Sequence, residues 1–324
     1  MSNKKNILIT SAGRRVELIN LWKESASNLL GEESLIFTSD INEKFSSASY
    51  FSHKSIQICS CQEKEYPEVL LEQCLINNIK LVLPTIDTEL YVLAKNREKF
   101  QKAGIEIIVS DIEFINACHN KKLTSKLFKK LDIDTPAILD KNKLNFPFFL
   151  KPVSGSASKG VKVVLKRDDL NNSEINSENY IFQELVPKSW TEYSVDLYFD
   201  KLGYLKSCVP RERLSTRGGE INKGITRKNE VFNYLLEKIS HVNGVRGVIT
   251  FQLFTDPERK KFLAIEINPR FGGGYPMSHY AGAKFPDMLI NEYILKKKIK
   301  SQNNWKKNLL MLRYDSMIVR RIDE

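Results

Sequence analysis

The chain has 324 residues, 42% of them hydrophobic and 27% charged, with a formal net charge of +11. That length supports two or three packed units, the composition excludes a disordered chain, and no run approaches the ~20 apolar residues that span a bilayer. The opening Met1-Ser2-Asn3-Lys4-Lys5-Asn6 passes at once into a strand-like run, too early for a signal peptide, so a cytoplasmic location is expected.

Taken in chain order, residues 6–10 read as a short buried strand, followed by the turn Ser11-Ala12-Gly13 and helical spacing over 16–22. A second strand over 35–38 ends at Ser39-Asp40. Helical 69–76 leads to strand 81–83, and helix 89–103 to strand 105–109. Such alternation predicts a parallel sheet with helices on both faces, here spanning residues 1–115. Ligands of these sheets sit outside the carboxyl ends of the strands, which carry Ser11, Arg14, Arg15, Asp40, Thr85, Asp87 and Glu89. The first turn lacks G-x-G-x-x-G, which disfavours a dinucleotide, and Ser11 could equally cap the following helix.

From Asn120 the pattern changes. A basic amphipathic helix covers 121–131, strand 148–151 follows, and a Ser/Gly loop (154–160) leads to strand 161–164. A polar helix start near Asp168 and strands 180–183 and 192–199 complete an α+β stretch. We read residues 116–186 as a small lobe and 187–324 as a larger, mostly antiparallel one. The five cysteines follow no disulfide or zinc spacing, and Cys59-Ser60-Cys61, if on a strand, would pack on one side. The densest basic run, Lys296, Lys297, Lys298 and Lys300, reads as a solvated face, and no nucleic-acid-binding signature accompanies it.

Two segments carry chemistry. Lys151 ends an apolar strand, where an ammonium needs an anionic partner, and the loop bearing Ser156, Ser158 and Gly160 offers backbone N–H groups to phosphate. A plain hairpin with Lys151 snorkelling is the alternative at that point. More specific is the pair 250–254 and 262–270, two strands around the turn Asp256-Pro257-Glu258-Arg259. Glu266 and Asn268, two apart, share a face, and Gln252 can sit opposite them. Three oxygen-bearing side chains on one face form a hard-cation site suited to Mg²⁺. The following Asn-Pro aims Arg270 and Phe271-Gly272-Gly273-Gly274 at the reacting end.

Lys121, Lys151-Pro152, the Ser/Gly loop, Gln183-Glu184-Leu185-Val186, Glu192, Gln252 and Glu266-Ile267-Asn268-Pro269-Arg270 occur in an order that resembles the ATP-grasp superfamily. The pattern is similar to one synthetase unit of the carbamoyl-phosphate synthase large subunit and its short single-unit relatives. The resemblance covers almost the whole chain and implies an ATP-grasp fold, α/β and α+β, behind a Rossmann-like N-terminal domain.

By the same resemblance Lys121 and Lys151 contact ATP phosphates beneath the loop. Glu184 and Val186 read adenine, and Glu192 holds the ribose. Gln252, Glu266 and Asn268 hold Mg²⁺, or Mn²⁺ in its place, and Arg270 lies near the transferred phosphoryl group. Many ATP-grasp enzymes have an acidic first metal ligand where this chain has Gln252, a glutamine that the synthase relatives share. One unit is too short for complete carbamoyl-phosphate synthesis, so the implied activity is a carboxylate–amine ligase acting through an acyl phosphate. Carboxyphosphate chemistry and a non-catalytic nucleotide-binding protein are the alternatives. Arg211, Arg213 and Arg217 are expected to receive a substrate acid, with Ser11, Arg14 and Asp87 nearby, unless Glu212 and Glu220 engage the arginines as salt bridges. The expected partners are a small carboxylate and an amine, with neither nucleic acid nor membrane, and a homodimer is compatible with the reading.

Overall fold

The computed structural model describes residues 5–153 and 160–321, and its strands form three sheets. The first sheet is parallel throughout. It is built from β1 (Asn6–Thr10), α1 (Val16–Leu30), β2 (Ile36–Asp40), β3 (Lys54–Gln57), α2 (Tyr66–Ile76), β4 (Ile79–Leu83), α3 (Asp87–Lys102) and β5 (Glu106–Ile107), in the order β3-β2-β1-β4-β5. Strand alternation sends Ile7 and Ile9 towards Leu18, Leu21 and Trp22 of α1, while Leu8 and Val82 pack with Leu70, Leu90 and Leu93 of α2 and α3. Both faces are therefore covered, which is why β1 is apolar at consecutive positions.

Next come α4 (Ile112–His119) and α5 (Lys121–Lys130). The second sheet follows, from β6 (Phe148–Pro152), β7 (Lys162–Val164), α6 (Asn172–Asn176) and β8 (Tyr180–Glu184), in the antiparallel order β7-β6-β8. It has its own small core of Phe148, Leu150, Val164, Leu170 and Phe182. The third sheet contains β9 (Thr191–Phe199), β10 (Leu205–Arg217) and β11 (Glu220–Thr226). After α7 (Glu230–Lys238) come β12 (Gly247–Thr255), β13 (Phe262–Asn268), α8 (Tyr275–Tyr280), α9 (Phe285–Leu289) and the edge strand β14 (Leu310–Leu312). Its order is β13-β12-β9-β10-β11-β14, antiparallel throughout. The core beneath it is continuous with that between β1 and α1, and Trp22 meets Phe271 edge to face at 6.4 Å.

The differences from expectation are local. Strand 105–109 pairs only at Glu106 and Ile107, because Asp111 is drawn off by a bond from its N–H to Gly244 O at 2.8 Å. The helix start near Asp168 is a single 3₁₀ turn, Arg167–Asp169. Ser11 caps no helix: it adopts φ 50° and donates its hydroxyl to Glu89. Cys59 and Cys61 lie beyond the end of β3, in a loop rather than a strand. No helix among the described residues is long and apolar enough to cross a membrane.

Candidate functional site

Lys121 opens α5 because Asn120 caps it, its side-chain oxygen accepting from the N–H groups of Lys122 and Leu123 at 3.0 and 3.2 Å. The Lys121 N–H donates to Val153 O at 3.0 Å, pinning the helix start to the end of β6. One residue before the end of that strand, Lys151 is only 6% exposed and has no ion-pair partner among the described residues. Burial pushes its pKa down to about 8, Lys121 adds repulsion, and Glu266 opposes both. Burial lowers Lys121 as well, again against Glu266. Two cations of the small lobe and one carboxylate of the large sheet thus share one space.

Pairing of β12 with β13 sets Gln252 opposite Glu266. Asn268 Nδ2 donates to Glu266 Oε1 at 2.9 Å. Arg270 Nη2 donates to Asn268 Oδ1 at 3.0 Å and to Asp87 Oδ2 at 2.8 Å, and its Nη1 to Phe271 O at 3.2 Å. From β9 and β10, Glu192 and Arg213 meet: Arg213 Nη1 lies 3.0 Å from Glu192 Oε1 and 3.1 Å from Gln252 Oε1. Burial raises the Glu192 pKa, with Arg213 opposing and Glu266 adding to the rise.

Among the described residues no group of three or more His, Cys, Asp or Glu side chains is placed to hold a metal. What the sheet does offer is one carboxylate with two amide oxygens, Glu266 with Asn268 and Gln252. This hard, incomplete oxygen set fits Mg²⁺, which keeps several ligands from phosphate and water.

The loop after β13 lies directly on the large sheet. A Cβ at Gly272 would come within 2.6 Å of Thr250 Oγ1, and one at Gly274 within 2.2 Å of Arg211 Nη1. From the first sheet, Arg15 donates to Phe271 O at 3.2 Å and to Thr85 O at 2.9 Å. Its pKa falls to about 10 through burial and the nearby Arg270.

The expected acid-binding arginines are not gathered in one pocket. Arg211 is fully buried against Asp196, with Nε 2.8 Å and Nη2 2.9 Å from its oxygens, and Asp196 also accepts from Thr250 and Ser278. Arg213 faces the expected ribose and metal residues. Arg217 pairs in solvent with Asp315 at 2.9 Å. The physical reason is a pair of register shifts between Arg213 and Thr216, which redirect the end of β10. Arg14, also expected here, is exposed and pairs with Glu220 at 3.2 Å, so its neighbour Arg15 is the arginine that enters the cleft.

Ser11 stays at the strand end, bonded to Glu89 at 3.0 Å. In the β8 connection, Glu184 Oε2 accepts from Ala137 N at 3.3 Å and Val186 is half-buried. Gly160 has φ +73°, while Ser156 and Ser158 lie outside the described residues. Sequence reasoning missed Asp196, whose only signal was a carboxylate at an inward position of a buried strand.

Two family models match the chain. One described as PylC-like, N-terminal domain, covers residues 7–108, and one described as ATP-grasp in the biosynthetic pathway with Ter operon covers residues 177–315. A carbamoyl-phosphate synthase of Methanobrevibacter smithii is 24% identical over 221 residues, 60% of this chain and 58% of that protein. A D-alanine–D-alanine ligase of Wolbachia pipientis is 30% identical over 192 residues, 52% of this chain and 60% of the relative. The matched region therefore spans 58% and 60% of these two curated relatives, less than two thirds of either. Biotin carboxylase of Campylobacter jejuni, solved as a complex with β,γ-ATP, superposes with a TM-score of 0.71 at 16% identity, over 94% of this chain and 74% of that one. The chain therefore carries an ATP-grasp domain, matched over residues 177–315, behind a PylC-like parallel-sheet domain, and its fold as a whole is similar to that of the biotin carboxylase.

Proposed function

We propose that this protein is an ATP-dependent carboxylate–amine ligase working through an acyl phosphate. The observation that carries the reading is Lys151: a buried ammonium without an ion-pair partner among the described residues, held beside Lys121 and facing Glu266. Such a group is costly in an empty cleft and is compensated by a polyanion such as the ATP phosphates.

In this reading Glu266, Asn268 and Gln252 hold Mg²⁺, which when bound neutralises phosphate charge. Lys121 and Lys151 fix the γ-phosphoryl group. A carboxylate oxygen of the acid attacks γ-phosphorus in line, the bond to the β–γ bridging oxygen breaks, and ADP leaves. Arg270, braced by Asp87 and Asn268, and Arg15 beside it orient the acid and spread the charge on the phosphoryl oxygens. An amine nitrogen then attacks the carbonyl carbon, phosphate departs, and the nitrogen loses a proton to give the amide. Glu192 and Glu184 remain with ribose and adenine, and closure of the small lobe keeps water from the acyl phosphate.

The test is turnover with ¹⁸O-labelled acids and a panel of amines. The reading expects ADP release that needs both, one ¹⁸O atom in the released phosphate, and a product of amide mass. Turnover driven by bicarbonate alone would replace it with carboxyphosphate chemistry. ATP binding without ADP release from any pair would leave a non-catalytic nucleotide-binding protein.

A further inference from the structure

The carboxyl ends of β1, β2 and β3 leave a cavity of about 240 Å³, whose polar walls are Ser11, Asp40, Cys59, Cys61 and Tyr66. The hydrogens of Ser11, Tyr66 and Cys61 are committed elsewhere. Ser11 Oγ and Tyr66 OH both donate to Glu89 Oε2, at 3.0 and 3.2 Å, and Cys61 Sγ donates to Thr88 Oγ1 at 3.7 Å. Glu89 is fully buried, and its other oxygen takes the N–H groups of Thr85 and Ile86 at 2.8 and 3.2 Å. Four donors converge on that carboxylate, so the two hydroxyls offer a ligand lone pairs rather than hydrogens.

Asp40 completes the lining. One of its oxygens accepts from Gly13 N at 3.1 Å, and among the described residues no lysine or arginine pairs with it. No wall residue is basic. Burial and, after it, the neighbouring Glu63 raise the Cys59 thiol, and Asp40 is the charged group of this wall in a chain of net charge +11. The remaining walls, Ile41, Ile58 and Ile86, are aliphatic.

We propose that this cavity binds the primary ammonium of an aliphatic amine. Its three N–H groups match an acceptor-rich lining, its charge matches Asp40, and its methylenes lie along the isoleucines. A carboxylate or phosphate would face Asp40 with no cation between them, and the site excludes both. Ile86 adjoins Asp87 in the chain, so a bound amine lies next to the arm that holds Arg270. That the amine is a substrate rests on the ligase reading above; that the cavity holds it does not.

Calorimetry of the full chain with n-pentylamine, 1,5-diaminopentane and n-pentanoate tests the proposal, with and without Mg-ATP. Both amines should bind and pentanoate should not. Asp40→Asn keeps an oxygen for the Gly13 N–H and should weaken the amines about tenfold or more, leaving nucleotide affinity unchanged. Bound amine should also slow maleimide modification of Cys59 and Cys61, read by mass spectrometry. The proposal is overturned by absent amine binding, by equal binding of pentanoate, or by amine affinity indifferent to Asp40→Asn. Amine binding without acid-dependent ADP release would keep the cavity and remove the ligase reading. Acid-dependent ADP release without amine binding at Asp40 would do the reverse.

Discussion

Arg270 Nη2 and Asp87 Oδ2 lie 2.8 Å apart, joining the loop after β13 to the first turn of α3 across 183 residues of chain. Both side chains are mostly buried, at 16% and 20% exposure, and Arg270 Nε has no hydrogen-bond partner among the described residues. Asp87→Ala should therefore cost about 1–3 kcal/mol of stability by leaving the guanidinium short of an acceptor. It should also lower kcat more than it raises KM for ATP, because the arm loses its aim. Urea denaturation and steady-state kinetics check the two effects, and an unchanged midpoint would show the pair to be dispensable.

Glu266→Gln keeps the shape of the side chain and removes the carboxylate among the three candidate metal ligands. Loss of one charged group at such a centre commonly costs about 10²–10³ in rate. The variant should stay folded, with ATP turnover reduced by that factor and Mn²⁺ affinity weakened in an electron paramagnetic resonance titration. Undiminished turnover would remove Glu266 from the set.

With Lys151 holding the ATP phosphates as proposed, nucleotide binding should be sensitive to pH. Burial pushes the Lys151 pKa in the folded chain down to about 8, against about 10.4 for an exposed lysine in the unfolded chain. Between those values the unfolded chain holds the extra proton, so this group's contribution to stability rises with pH across that window and is flat below it. Nucleotide binding runs the other way, because phosphates favour the ammonium. ATP affinity should fall by up to about tenfold per pH unit above pH 8, with proton uptake on binding. Calorimetry in buffers of different ionisation enthalpy reads that uptake directly. Lys151→Arg should flatten the profile, and a wild-type profile flat to pH 10 would contradict the assignment.

Gly274→Ala is a steric test of the loop. The added methyl would meet Arg211 Nη1 at 2.2 Å and Ile221 Cγ2 at 2.4 Å, both held in the buried side of the sheet. Overpacking of this kind costs about 1–3 kcal/mol. The loss should appear as a lower thermal midpoint, accompanied by reduced activity because Arg270 shares the loop. Gly104→Ala, where the added methyl meets nothing within 4 Å, is the steric control, although its φ of +74° adds backbone strain alone.

What could be read from the chain follows its periodicities. Glu266, Asn268 and Gln252 were legible as one face because a strand repeats every two residues and a hairpin sets its partners opposite. The parallel sheet was legible from apolar runs alternating with helical spacing. Residues set by irregular backbone were not. Arg14 and Arg15 are adjacent, and only the turn through Ser11 at φ 50° and Gly13 at φ 51° decides which one enters the cleft. Register shifts near Ser215 separate Arg217 from Arg213, and no periodicity forecasts such a shift. The early end of β3 turned an expected packing pair, Cys59 and Cys61, into cavity wall. Arg270 with Asp87 was hidden for another reason, since nothing local encodes a contact between domains.

The shared core between the first and third sheets has a consequence for traffic through the cleft. Trp22, Phe271 and the residues around them weld those two sheets together, and Arg15 and Arg270 bolt the seam from above. The three-stranded sheet stands on a separate, much smaller core. Hinging is therefore cheapest at the small lobe, and the welded pair acts as a fixed floor. In the proposed reaction, reactants held between that floor and the smaller sheet would leave as the smaller sheet swings away, so one movement would free both spent nucleotide and product. Turnover paced by that movement should slow with solvent viscosity more than with substitutions in the floor that leave the chemistry intact.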